Sequence, residues 1–351
     1  MAKLLKRSGG GSKDPLEAQI EEEAASETPL TEREFIPTGN FDYCISTGST
    51  LLDLAISGTK VHGGGIPGGV LIEIYGPSGV GKTACLAEIA ARVQKNGGSI
   101  HFMDPEARLD KEYMRIYGAE IDKKNYSMPD TVEEVFDFIS TWKPSMSNPP
   151  NAVLADSLAA LSTALEMEKG DKMGQRRAKM FSQGMRVLCR TITKSNMILA
   201  CSNQIRQGEY GITTPGGFAI PFYASIRIQL GFSKPRDITK TVTFKGKSHE
   251  QIVGVNTIAR VVKNSTDIPY REAYLPLIFR YGFDDIRANL QFVKNIEGGS
   301  VYKAVDREYQ AMNDAIYHIE KAGLEKPLKD TTISLWLQLQ EKFKVERKRK
   351  L

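Results

Sequence analysis

Gly76, Pro77, Ser78, Gly79, Val80, Gly81, Lys82 and Thr83 follow the order G-x-x-x-x-G-K-[ST], a spacing suited to holding a chain of phosphates. The glycines let backbone N–H groups converge on anionic oxygens. The lysine reaches the β- and γ-phosphates, and the threonine hydroxyl is a hard ligand for Mg²⁺. This chemistry needs a strand before the turn and a helix after it, so that the positive end of the helix dipole meets the negative charge. The sequence offers both. Val70-Leu71-Ile72-Glu73-Ile74-Tyr75 is a short apolar run suited to a buried strand. From Lys82 to Gln94, Leu86, Ile89, Ala90 and Val93 share one helical face, and Gly97-Gly98 ends the helix. The loop therefore binds ATP or a close relative.

Other residues with the same chemistry end nearby apolar runs. Ala152-Val153-Leu154-Ala155 reads as a strand closed by Asp156, the position from which an acid holds the Mg²⁺ shell through water or the loop hydroxyl. Asp104-Pro105-Glu106 follows the strand Ser99 to Met103. Either carboxylate there is suited to deprotonating the attacking water, a contribution of about 10²–10⁴-fold, and either could instead cap the next helix. A third strand, Met197 to Ser202, leads into Asn203 and Gln204, amides placed to feel a γ-phosphate. Open α/β sheets bind ligands at the carboxyl ends of their strands, where all these residues fall.

Strands alternating with helices from about residue 41 to 285 predict a largely parallel sheet covered on both faces. Within it Val132, Val135, Phe136 and Ile139 give a helix between Thr131 and Trp142, and two later strands are expected at Ala224–Leu230 and Asn256–Val262. Gln207 to Pro221 has the Gly, Thr and Pro content of a mobile loop. Residues 286–351 read as a small, mostly helical domain in which Tyr309, Met312, Ile316 and Ile319 recur at helical spacing, ending in the basic run Lys344 to Lys350. Residues 1–40 form an arm whose Ser8-Gly9-Gly10-Gly11-Ser12 and acid-rich Glu17–Glu34 predict partial disorder or an assembly contact. The 351 residues contain no apolar run of about 18 or more, hence no membrane span. Four scattered cysteines fit a reducing cytoplasm, and a net charge of +5 permits a polyanionic partner without requiring one.

In this order the segments resemble the bacterial RecA recombinases, ATP-dependent proteins that polymerise on single-stranded DNA and exchange strands. The resemblance runs from about Ile45 to Tyr281. It is carried by Ser46-Thr47-Gly48-Ser49, by Asp104-Pro105-Glu106-Ala107 with Leu109-Asp110, and by Asp156-Ser157-Leu158-Ala159-Ala160-Leu161. Asn203-Gln204-Ile205-Arg206, Phe222-Tyr223-Ala224-Ser225 and Val261-Val262-Lys263-Asn264 follow. The phosphate loop alone is generic; the ordered set around Asn203-Gln204-Ile205-Arg206 and Phe222-Tyr223-Ala224-Ser225 is specific. The resemblance implies a RecA-like phosphate-loop NTPase core using ATP and Mg²⁺, with Glu106 rather than Asp104 as the base. It implies that Asp110 and Tyr113 flank the adenine, that Gln204 senses the γ-phosphate, and that Lys263 acts on a neighbouring subunit's nucleotide.

The same resemblance puts DNA contacts at Met173 and Gly174, and at Arg206, Tyr210, Ile212, Gly216 and Gly217. Lys179, Ser182 and Arg186, spaced three and four residues apart, share a helical face between the two loops. The implied partners are single-stranded DNA, homologous double-stranded DNA and further copies in a helical filament, in the cytoplasm of a bacterium or of a phage's host. A DNA-binding scaffold that uses ATP as a switch, and a hexameric motor of the same fold, are the alternatives. The chain departs from the family in four places. Ser265 replaces a second lysine, with Arg271 the candidate substitute. The second DNA loop is short, the arm is unlike the family's, and the tail is basic rather than acidic. With an insertion at Lys60–Gly65, these mark a divergent member, of a kind a phage could encode.

Overall fold

The computed structural model describes residues 39–144, 148–157, 161, 174–208, 211–213 and 219–347, with 174–183, 206–208, 211–213 and 219 as backbone only. The arm at 1–38 and the tail end at 348–351 lie outside the described residues. In chain order, β1 (Asn40–Ile45), α1 (Thr50–Ser57) and β2 (Ile66–Gly68) precede β3 (Leu71–Gly76), which runs through the phosphate loop into α2 (Lys82–Lys95). β4 (Ile100–Met103), α3 (Lys111–Ile116), β5 (Tyr126–Ser127), α4 (Val132–Thr141), β6 (Ala152–Ala155), α5 (Gly174–Lys194) and β7 (Ile198–Gln204) continue the alternation. Next come β8 (Arg206–Gly208), β9 (Gly211–Thr213), α6 (Ala219–Tyr223), β10 (Ile226–Phe244), β11 (Lys247–Asn264), β12 (Glu272–Ile278) and β13 (Gly282–Phe283). The last elements are α7 (Asp285–Glu297), β14 (Tyr302–Ala304), β15 (Arg307–Tyr309), α8 (Met312–Ala322) and α9 (Glu325–Lys342).

One nine-stranded sheet, ordered β13-β12-β11-β10-β3-β7-β6-β4-β5, carries the site. From β10 through β3 to β5 every pair is parallel, and from β10 to β13 every pair is antiparallel. The expected α/β core with a largely parallel sheet is what the chain forms. Its parallel strands are mostly apolar because both faces are covered, with Glu73, His101, Ser202 and Asn203 as buried polar exceptions. Ile72, Ile74, Leu154 and Ile198 join Leu86 and Ile89 of α2 in one core, while Leu71, Val153 and Leu199 join Val135, Ile139 and Leu188 of α4 and α5 in the other. Neighbouring residues alternate between the two cores, as a strand's period of two requires. Each fully buried Leu or Ile contributes roughly 1.5–3 kcal/mol.

Local chemistry sets the helix boundaries. Thr131 caps α4, accepting from the Glu134 N–H at 3.3 Å, while Glu134 reaches back to the Asp130 N–H at 3.1 Å. From α7 onward the chain packs a further core of Leu290, Val293, Ala304, Ala315, Ile319 and Leu328, and Trp336 and Ile333 of α9 pack on Leu54 of α1.

Three sequence expectations need correction. The strands expected at Ala224–Leu230 and Asn256–Val262 are the buried bases of β10 and β11, which run on as a two-stranded ribbon with Phe244 opposite Lys247. The extension escapes burial-based reading because both of its faces are exposed from Thr239 to Ile252. Its turn has positive φ at Lys245 (51°) and Gly246 (74°), the two-residue hairpin geometry that matches strand twist. Gln207–Pro221 is not all loop: β8 pairs antiparallel with β9, and Ala219 opens α6. Tyr309 lies on β15 rather than on the helix that begins at Met312.

Candidate nucleotide site and DNA-facing elements

β3 ends at Gly76 in the middle of the sheet, and the chain turns sharply to start α2. Gly79 (φ 75°) and Gly81 (φ 99°) take the left-handed conformations that glycine adopts without strain. Gly81 is the N-cap of α2 and brings no capping side chain, so the first-turn N–H groups face the loop's hollow. The Lys82 ammonium curls back to donate to the Gly76 and Pro77 carbonyls at 3.0 and 2.9 Å. Burial pulls its pKa below the usual lysine range, partly offset by Asp156 and Glu106. The Thr83 hydroxyl donates to Asp156 at 2.7 Å. The other Asp156 oxygen accepts from the Ser202 hydroxyl, and Ser202 in turn accepts from the Ser157 N–H at 2.9 Å. Sequence reasoning missed Ser202; its place at the carboxyl end of β7, beside β6, was the available signal.

These groups open onto a cavity of about 510 Å³. Its walls include Glu106, Asp110, Tyr113, Asp156 and Gln204, each predicted from sequence, together with Leu277 and Phe279, which were not. Asp110 caps α3 by accepting from the Glu112 N–H at 2.9 Å, and the Tyr113 hydroxyl accepts from Tyr117 at 2.6 Å. The two candidate carboxylates differ in engagement. Asp104 is 3% exposed, and its Oδ2 accepts from the Leu109 N–H at 2.7 Å and the Tyr126 hydroxyl at 3.0 Å. Glu106 faces the cavity with a quarter of its side chain exposed and pairs with Arg108 at 2.8 Å. A hydroxyl and a carboxylate beside a nest of N–H groups form the hard-oxygen donor set that suits Mg²⁺ with a triphosphate. Among the described residues no His, Cys, Asp and Glu cluster suits another metal ion, and all four cysteines are free.

Lys263 does not line this cavity. Its ammonium donates to the carbonyls of Pro221 (3.0 Å) and Phe222 (2.6 Å) in α6, and burial, with Arg227 nearby, lowers its pKa. Arg271, the candidate substitute for a second lysine, does not line this cavity either. It pairs with Asp267 at 2.9 Å and lies over the Trp336 ring at 5.0 Å, with only 9% of its side chain exposed.

Of the candidate DNA contacts, Gly174 starts α5, Lys179 and Ser182 follow on its backbone, and Arg186 is exposed on its next turn. Arg206 and Ile212 fall on the β8–β9 hairpin, opposite Thr213 and Gln207 respectively. Met173, Tyr210, Gly216 and Gly217 lie outside the described residues. No helix among the described residues is long and apolar enough to cross a membrane.

A phosphate loop joining a central parallel strand to a helix, with an acid at the end of a nearby strand, defines a phosphate-loop α/β nucleotide-binding protein. A family model described as the RecA N-terminal domain matches residues 39–284. The chain is 33% identical over 314 residues to Protein RecA of Rickettsia massiliae, covering 83% of this chain and 86% of that one. It is 36% identical to Protein RecA of Symbiobacterium thermophilum over 246 residues, 68% of this chain and 65% of the relative. Protein RecA of Caulobacter vibrioides is also 36% identical, over 249 residues, 69% of this chain and 65% of that one. The chain belongs to the RecA family, and with it to the proteins of DNA recombination and repair. This membership does not favour a scaffold or a ring-forming motor.

Proposed function

We propose that the chain is a DNA-dependent ATPase that forms ATP-bound filaments on single-stranded DNA, pairs it with homologous duplex and exchanges strands. The observation that carries this reading is the Thr83–Asp156–Ser202 cluster beneath the phosphate loop, with Glu106 facing the same cavity. Thr83 and Asp156, the latter through water, would hold Mg²⁺, which supplies positive charge to the phosphate oxygens. Lys82 exchanges the Gly76 and Pro77 carbonyls for the β- and γ-phosphates. Asp110 and Tyr113 hold the adenine. Glu106 accepts a proton from water as its oxygen attacks the γ-phosphorus and the bond to the ADP oxygen breaks. Asp104 is the weaker candidate base, because its carboxylate already holds Leu109 and Tyr126. Gln204 contacts the γ-phosphate, and Lys263 places its charge on the nucleotide of the next copy.

Arg186, with Lys179 and Ser182, grips DNA phosphates on α5. Met173 and Gly174 in the first loop, and Arg206, Tyr210, Ile212, Gly216 and Gly217 in the second, complete the contact. Hydrolysis measured with and without single-stranded DNA tests the reading. The wild-type chain is expected to be stimulated, and Glu106→Gln to lose about 10²-fold or more of the stimulated rate. An unchanged rate in Glu106→Gln would remove Glu106 as the base, and no stimulation of the wild type would remove the function. Arg186→Ala should weaken binding of all DNA sequences alike, with a salt slope shallower by about one unit. A sequence-selective loss would count against a phosphate contact.

A further inference from the structure

Glu73 is a carboxylate with no solvent exposure, in the middle of β3. Burying such a charge is costly unless it is paired and hydrogen-bonded. Its two oxygens are engaged by different neighbouring strands. Oε1 accepts from the Asn203 side-chain amide of β7 at 2.9 Å, and Oε2 accepts from Arg227 Nε of β10 at 2.5 Å. Each partner adjoins a residue given a part in the reaction. Asn203 immediately precedes Gln204 at the mouth of the cavity. Arg227 stands directly opposite Lys263 in the β10–β11 register, so the two cations share one face of the sheet. Arg227 also covers the Tyr75 ring at 4.7 Å, one residue before Gly76. Lys263 in turn rests on the last carbonyls of α6, which follows the second loop.

We propose that Glu73 is a positioning residue: its carboxylate ties the end of the sensor strand β7 to Arg227 of β10, the cation directly opposite Lys263 on β11, so that the two nucleotide contacts move as one unit. The proposal deepens the reading above and rests on the roles it gives Gln204 and Lys263. Charge explains why the residue is an acid. Without it Arg227 stands unpaired beside Lys263, and repulsion pushes the lysine from its place. The Asn203 amide loses its anionic acceptor in the same step, so the side chain next to Gln204 is held less firmly against β3.

Three variants of the full chain test this: Glu73→Gln, Lys263→Ala and the double variant, each with single-stranded DNA, ATP titration and a melting curve. Glu73→Gln is expected to lower kcat on the order of tenfold, with the KM for ATP moving much less. In the Lys263→Ala background the same substitution should cost little more, because the residue it positions is gone. Additive losses, or a fall in melting temperature without the kcat effect, would overturn the positioning role. If Lys263→Ala alone leaves kcat intact, the trans contact itself fails and this inference falls with it, a result distinct from additivity. Should Glu73→Gln not fold, Arg227→Lys keeps the charge but loses the Nε geometry. It is expected to show the same non-additivity with Lys263→Ala, and additivity there would again overturn the proposal.

Discussion

His101 lies on β4, its ring tilted against Phe138 with ring centroids 3.9 Å apart and its Nε2 2.9 Å from the Ser127 hydroxyl. Burial pushes its pKa down to about 4. Between that value and the ordinary histidine range the unfolded chain binds the proton and the folded chain does not, so stability falls as pH falls through this window. His101→Phe keeps an aromatic ring against Phe138 and removes the titration. Its melting temperature is expected to fall less steeply from pH 6.5 to 4.5 than the wild type's, as scanning calorimetry would register. Asp53, pushed up to about 6 by burial, acts with the opposite sign over pH 4 to 6. The placing of residues was well written in the sequence where spacing is rigid, as from Gly76 to Thr83 and at Asp156, which meet at one cavity. It was poorly written where tertiary partners decide. Asp104 and Glu106 look alike in sequence until Tyr126 and the Leu109 N–H occupy one of them, and Arg271 looks available until Asp267 and Trp336 bury it.

At the level of elements, α4 and α5 meet at a glycine. A Cβ on Gly184 would lie 2.1 Å from the Phe136 ring, so α5 approaches α4 more closely than alanine permits. Alanine in place of glycine ordinarily favours a helix by about 1 kcal/mol. Here overpacking reverses the sign, and Gly184→Ala is expected to destabilise the fold by about 1–3 kcal/mol in a denaturant titration. The helix carrying Arg186 would shift with it. The parallel strands were legible because burial on both faces leaves an unbroken apolar run, as at Ala152–Ala155, where the predicted limits match the observed ones. The β10–β11 extension was not, because Thr239 to Ile252 faces solvent on both sides and carries the polar residues of a loop. Its Lys245-Gly246 turn was the signal left unread.

Across the whole molecule the ribbon divides the chain. Lys245 and Lys247 flank its exposed tip, and brief trypsin treatment is expected to cut there before it cuts within the buried base of either strand, as mass spectrometry of the fragments would show. Early cleavage within the buried bases would contradict the observed pairing. The strands remain paired from Phe244–Lys247 back to Ile226–Asn264, and β10 stays bonded to β3 while β11 stays bonded to β12. A nicked molecule therefore has reason to hold together as a two-piece protein. The first piece carries the phosphate loop, Glu106, Asp156, Gln204 and Glu73; the second carries Lys263. A cut at this tip thus separates the groups proposed to grip a subunit's own nucleotide from the one proposed to reach for its neighbour's, and each piece could be made, altered and recombined on its own.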